Sequence, residues 1–168
     1  MRYFLGWFAA LAVMGFFTAA ATSSGQEKKV PLDKVPKKVL DAVESWFPGA
    51  KLTSVEKENE DGKVVFDIEL THKGKKYEMD IHEDGTVIEI EKETAAKDLP
   101  EAVTKALDTK FPKATFKEIM EVNKVKDKTL TPIHYEVVVQ TAEGKTMEVI
   151  VSLDGETIKG EKAEKDKK

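Results

Sequence analysis

A chain of 168 residues with 35% charged and 40% hydrophobic side chains has the balance of an ordinary globular protein, with room for one domain or two very small ones. Its net charge of −4, with Arg2 as the sole arginine, argues against nucleic-acid binding, because phosphate tracking needs a basic surface and base or phosphate forks favour arginine. The absence of cysteine excludes disulfides, thiolate sites and a lipid-anchored cysteine.

Residues 1–21 predict a signal peptide: Arg2 gives a positive start, an uncharged apolar run follows, and Ala19-Ala20-Ala21 supplies a small-residue cleavage site. Cleavage there removes Arg2 and takes the net charge from −4 to about −5, and no stable membrane insertion is expected afterwards. The competing reading is an uncleaved anchor, since the run approaches the roughly 20 apolar residues that cross a bilayer. Either way the remainder is exported. Residues 22–31 read as a flexible leader.

The rest of the chain repeats itself. A shift of 64 positions places Val35-Pro36 on Leu99-Pro100, Val39 on Val103, Ala42-Val43 on Ala106-Leu107 and Phe47-Pro48 on Phe111-Pro112. Beyond an excess of five residues in the second copy, around 124–132, Phe66-Asp67-Ile68 matches Tyr135-Glu136-Val137 and Asp84-Gly85 matches Asp154-Gly155. Each copy opens on a helix, from a proline suited to a first turn and apolar residues three and four apart (Val35, Val39, Ala42, Val43, Trp46), and each helix ends before Phe-Pro.

Period-two strands follow. Val64, Phe66, Ile68 and Leu70 alternate with Asp67, Glu69 and Thr71; Tyr77, Met79 and Ile81 alternate with Glu78, Asp80 and His82. In the second copy Ile133, Tyr135, Val137 and Val139 share a face, as do Met147, Val149, Val151 and Leu153, while Val138 and Ile150 put apolar surface on the other side. Glycine-bearing turns such as Lys73-Gly74 and Asp154-Gly155 make the neighbours antiparallel. Less regular strands are expected at 51–58 and 115–122, and short last strands at 86–91 and 156–159.

The expectation is an α+β fold of two tandem repeats, each one helix followed by about four antiparallel strands, with both helices on one face of a continuous or abutting sheet. The repeats are assigned to 32–91 and 99–160, with a linker at 92–98 and a charged tail at 161–168. A unit of roughly 60 residues is marginal alone, so the copies should pack together. The sheet's polar face is the candidate working surface.

These residues resemble the PepSY-like family, which is related in fold to β-lactamase-inhibitor-type proteins. The resemblance rests on the repeated Leu/Val-Pro-x-x-Val-x-x-Ala helix, on Phe-Pro-x-Ala, on Phe66-Asp67-Ile68 with Tyr135-Glu136-Val137, and on the Asp-Gly turns. It covers roughly residues 32–160. It implies a secreted or membrane-associated bacterial protein that binds or inhibits a peptidase or another envelope protein, and it carries over no catalytic residue.

The residues themselves carry no catalytic or cofactor motif. His72, His82 and His134 lack ligand spacing, no serine lies in G-x-S-x-G, and no glycine cluster cradles phosphate. Carboxylate runs at 56–61, 82–84 and 89–93 match no calcium loop and read as solvated or turn residues. No enzyme activity, no metal and no cofactor is expected. Trp46 stands apart: Lys110 replaces it in the second copy, and an aromatic at a helix end suits a partner contact as well as core packing. The expectation is therefore a periplasmic or secreted binding or inhibitory module with an envelope-protein partner, or alternatively a soluble periplasmic receptor for a small ligand or cation.

Overall fold

The computed structural model describes residues 28–60 and 62–163; the expected signal peptide lies outside them. Helix α1 spans Lys37–Trp46 and α2 spans Glu101–Lys110. Each is preceded by a single 3-10 turn, Leu32–Lys34 or Ala96–Asp98, and begins directly after its proline, Pro36 or Pro100. Each ends where the Phe47 or Phe111 N–H closes on the carbonyl of Val43 or Leu107 at 2.8 Å.

Nine strands form one antiparallel sheet in sequence order: β1 Lys28–Lys29, β2 Lys51–Glu60, β3 Lys63–His72, β4 Lys75–His82, β5 Val87–Glu93, β6 Thr115–Lys126, β7 Thr129–Gln140, β8 Thr146–Ser152 and β9 Ile158–Ala163. A helix followed by four strands occurs twice, and β5 pairs with β6, so the sheet runs unbroken across the junction. Several bounds differ from expectation. Lys28 and Lys29 pair with Lys57 and Glu56 as β1, in the span read as a free leader. β5 continues through Glu93 and the 3-10 turn occupies 96–98, so little of 92–98 is linker, and β9 runs to Ala163, into the span read as tail.

Both helices cover one face, and the alternation of the strands explains why. Phe66, Ile68, Leu70, Met79 and Ile81 pack with Val39 and Val43 of α1. Tyr135, Val137, Val139, Met147, Val149 and Val151 pack with Val103 and Leu107 of α2. Burying apolar surface contributes about 25 cal/mol per Å², and these two clusters hold most of it. Leu153, expected on the buried face, is 38% exposed because it lies in the β8–β9 turn.

The excess of the second copy becomes length rather than a loop. β6 and β7 form a hairpin of two twelve-residue strands closed by Asp127 and Lys128, both with positive φ, as a two-residue type I′ connection requires. Its far end crosses the junction, so that Val125 packs against the first cluster. Buried Asn123 lies nearby, donating to the Glu121 carbonyl (3.1 Å) and carboxylate (3.2 Å).

The two Asp-Gly turns seat against the helices. A Cβ on Gly85 would stand 2.9 Å from the carbonyl oxygen of Lys38, and one on Gly155 would stand 2.5 Å from that of Ala102. These contacts fix the start of each helix over the far end of its own strands.

Candidate functional site

On the strand face away from the helices the register sets the chemistry, and several of its side chains, Val65, Met120 and Val122 among them, are buried. Glu56 lies opposite Asp67, Asp67 opposite Asp80, and Asp80 opposite Glu89, so four carboxylates form one row across β2–β5. The next row runs Glu69, Glu78, Glu91, then Val122 and His134. Like charges directly opposite on a sheet destabilise it, and the first row ends on a cation, Lys124 opposite Glu89.

Burial sharpens the cost. Glu56 and Glu89 are each only 4% exposed. Asp67 is half-buried, and its Oδ1 has no hydrogen-bond partner among the described residues. Burial first, and then the carboxylates of Glu78, Glu58, Glu69 and Glu56, push the Asp67 carboxyl up to about 8. Burial also raises Glu91, with Glu136 and Glu78 adding to it. Glu78 is raised by burial too, although Lys76 opposes the shift.

Lys76 is one counter-charge of this region. Its Nζ lies 2.9 Å from Glu78 and 2.7 Å from Glu118, tying β4 of the first copy to β6 of the second. Burial pulls its pKa down, but Glu78 and Glu118 hold it above the usual lysine range. Farther along, His134 contacts Glu136 at 3.2 Å on β7.

The second half of the face differs. Met120, Val122, Val138 and Ile150 all lie on the outer side, opposite Glu136, His134, Glu118 and Glu136 respectively; Met120 and Val122 are buried, at 4% and 0% exposure. Val138 and Ile150 are where the alternation of the sequence puts them. Met120 and Val122 are on this face because a register shift between Phe116 and Glu118 resets the parity of β6, a signal that alternation alone does not carry.

Among the described residues no group of three or more His, Asp and Glu side chains is placed to hold a metal ion. His72 and His82 end β3 and β4, apart from His134 on β7. Trp46 is half-buried at the end of α1 and packs against the first hydrophobic cluster, on the helix side of the sheet. Phe47 beside it stacks on Tyr77 at 4.5 Å and on His72 at 5.6 Å between ring centroids. A shallow depression along α2 is lined by Lys105, Thr109, Lys110, Gly155, Glu156 and Ile158 among others. No described helix is long and apolar enough to cross a membrane.

Comparison with known proteins agrees with this architecture. A BLIP-like protein of Bacteroides fragilis NCTC 9343 superposes with a TM-score of 0.50 at 19% identity, covering 79% of this chain and 91% of that one. A DUF2874 family protein of Bacteroides uniformis ATCC 8492 gives 0.55 at 15% identity, covering 74% and 88%. A third, from Bacteroides eggerthii DSM 20697 and described as one of the "putative periplasmic proteins", gives 0.56 at 13% identity, covering 75% and 88%. No curated protein matches the chain. The family model described as "Putative beta-lactamase-inhibitor-like, PepSY-like" matches residues 21–89 and 66–159, and with most of its length so matched the chain belongs to the PepSY-like family.

Proposed function

We propose that this is a non-enzymatic exported protein of the periplasm that binds, and by binding inhibits, a peptidase or another envelope protein through the outer face of its sheet. The observation that carries this reading is the double row of opposed carboxylates from Glu56 to Glu91. A face that only met solvent would gain stability from lysine or threonine at alternate positions. Arrangements that cost stability concentrate where function requires them. The periplasmic description of a neighbour with the same fold and the apolar, small-residue run before position 22 support export.

A cation receptor is the second reading, since the same carboxylates repel one another until a positive charge arrives. It ranks behind protein binding because the described side chains converge on no ion position. A melting temperature raised by calcium, with no protein partner recovered, would reverse that order.

The test is affinity capture of the mature chain from its host's envelope fraction, with Ser54→Trp and Val138→Trp crowding the outer face of each copy and Trp46→Ala altering the opposite side. The expected result is a recurrent partner lost from both outer-face variants. Trp46→Ala should keep that partner while melting at a lower temperature, because Trp46 packs on the core. A partner retained by both tryptophan variants, or lost only with Trp46, would sink the reading.

A further inference from the structure

The internal repeat shows where the sheet stops short. β5 and β9 are counterparts, each following an Asp-Gly turn, Asp84-Gly85 and Asp154-Gly155. β5 pairs onward with β6 through Glu89 to Glu93, and Val125, near the end of β6, packs against the first hydrophobic cluster. Nothing equivalent follows β9: among the described residues its sole strand neighbour is β8.

The opposite edge of the sheet is treated differently. There Lys28 and Lys29 pair with Lys57 and Glu56, and the Val30 N–H donates to the Val55 carbonyl at 2.9 Å, so β1 occupies part of the edge of β2. Beside β9 lies instead the depression along α2, whose apolar lining is Ala102 and Ala106 from the helix and Ile158 from the strand. Lys110 stands where the first copy has Trp46. Its Nζ donates to the Ile158 carbonyl at 3.4 Å, which is long for a hydrogen bond. Lys105 and Lys110 line the depression with a single acid, Glu156.

We propose that the edge of β9 and this depression form a second docking site, separate from the outer face, for a short extended segment of a partner protein. The segment adds a strand beside β9 and seats an aliphatic side chain between α2 and Ile158. An exposed edge templates pairing, and strand addition draws affinity from main-chain bonds and specificity from side-chain pockets. The precedent is internal, since β6 pairs with β5 and sends Val125 to the first cluster. A partner N–H replaces the long Lys110 contact, and the lysines of the depression select acidic residues at the alternate positions. The register shift between Glu148 and Ile150, with Gly160 at φ +77, interrupts β9 as a bulge does, which keeps the segment short. A second copy of this chain fits poorly. Its β2 is the counterpart of β6, but in the register of β5 with β6 it would set Lys57 on Lys162 and Glu58 on Glu161, and β1 already lies along it.

The test is an amide NMR titration of the mature chain with synthetic peptides of alternating Val-Glu, Val-Lys and Ser-Glu, and with Val-Glu N-methylated at every residue. Val-Glu is expected to bind tightest, shifting amides of β9 and α2 and leaving β2 unmoved. N-methylation should abolish binding, because it removes the donors that a new strand needs. Lys105→Glu and Thr109→Trp, at exposed positions lining the depression, should each weaken Val-Glu about tenfold without lowering the melting temperature. Val138→Trp, on the outer face, should leave Val-Glu binding unchanged.

Equal binding of the N-methylated peptide, of Ser-Glu or of Val-Lys would overturn the proposal. So would the absence of any saturable shift, or shifts confined to β2 or the outer face. A dimer of the chain alone in analytical ultracentrifugation, with β9 amides protected from hydrogen exchange, would give the edge to a second copy and overturn it as well. The outer-face reading is scored separately: Val138→Trp should lose the envelope partner and keep Val-Glu, and Thr109→Trp should do the reverse. Loss of Val-Glu from Val138→Trp would put both bindings on one face and remove the second site.

Discussion

Replacing Gly155 with alanine should lower the melting temperature by roughly 10 °C, among the larger effects expected of a single methyl group in a protein of this size. Two costs combine. Gly155 has φ +73, a left-handed conformation that costs an L-residue about 1–2 kcal/mol. The added Cβ would also sit 2.5 Å from the Ala102 carbonyl oxygen and 2.7 Å from its carbon, and forcing backbone apart in a packed site costs about 1–3 kcal/mol more.

The related glycines separate these contributions. Gly85, with φ +89 and a closest approach of 2.9 Å to Lys38, should lose somewhat less on substitution. Gly144, with φ +83 and nothing within 4 Å, should lose only the conformational part, about 1–2 kcal/mol. Thermal melts of the three alanine variants check the order Gly155, Gly85, Gly144. Equal losses would mean that the turns do not bear on the helices.

The second large effect is on pH. Asp67 binds its proton with a pKa of about 8 in the folded protein against 3.8 ordinarily. Between those values the folded state holds a proton that the unfolded chain has released, so stability is fully present below about pH 4 and falls as pH rises towards 8. Each unit is worth about 1.4 kcal/mol, so the full window is on the order of 5 kcal/mol. Glu78 and Glu91 are shifted in the same direction and add to the loss.

The groups that face Asp67 all oppose its ionisation: Glu56 and Glu58 from β2, Glu69 on its own strand, and Glu78 and Asp80 from β4. Asp67→Asn removes the penalty without changing shape. Urea unfolding at pH 5 and pH 8.5 should show the parent losing stability at the higher pH and the variant losing much less, so that the variant is the more stable of the two at pH 8.5. A variant less stable than the parent at pH 8.5 would mean that Asp67 is held by a favourable contact instead.

The inner half of the molecule could be read from the chain because its signals are local. Val39 and Val43 recur at helical spacing, and Phe66, Ile68 and Leu70 recur at strand spacing, so both helices and the buried side of each strand follow from periodicity. The outer face was less legible because its meaning lies between strands. Glu56, Asp67, Asp80 and Glu89 are unremarked outward residues until antiparallel register sets them opposite one another. Met120 and Val122 reach that face through a register shift that interrupts the alternation of β6. The glycines of the Asp-Gly turns were expected for their φ alone, whereas the approach of Ala102 to Gly155 depends on how a helix seats on strands some 50 residues away.

The lack of cysteine in the chain permits the most direct test of the binding face. Single variants Glu69→Cys on the outer face and Asp108→Cys on the exposed side of α2 would each carry a short photo-crosslinker and be irradiated in the host's envelope fraction. A discrete crosslinked partner from position 69 and none from position 108 is the predicted result. Crosslinking from position 108 alone would place the working surface on the helices and contradict the account.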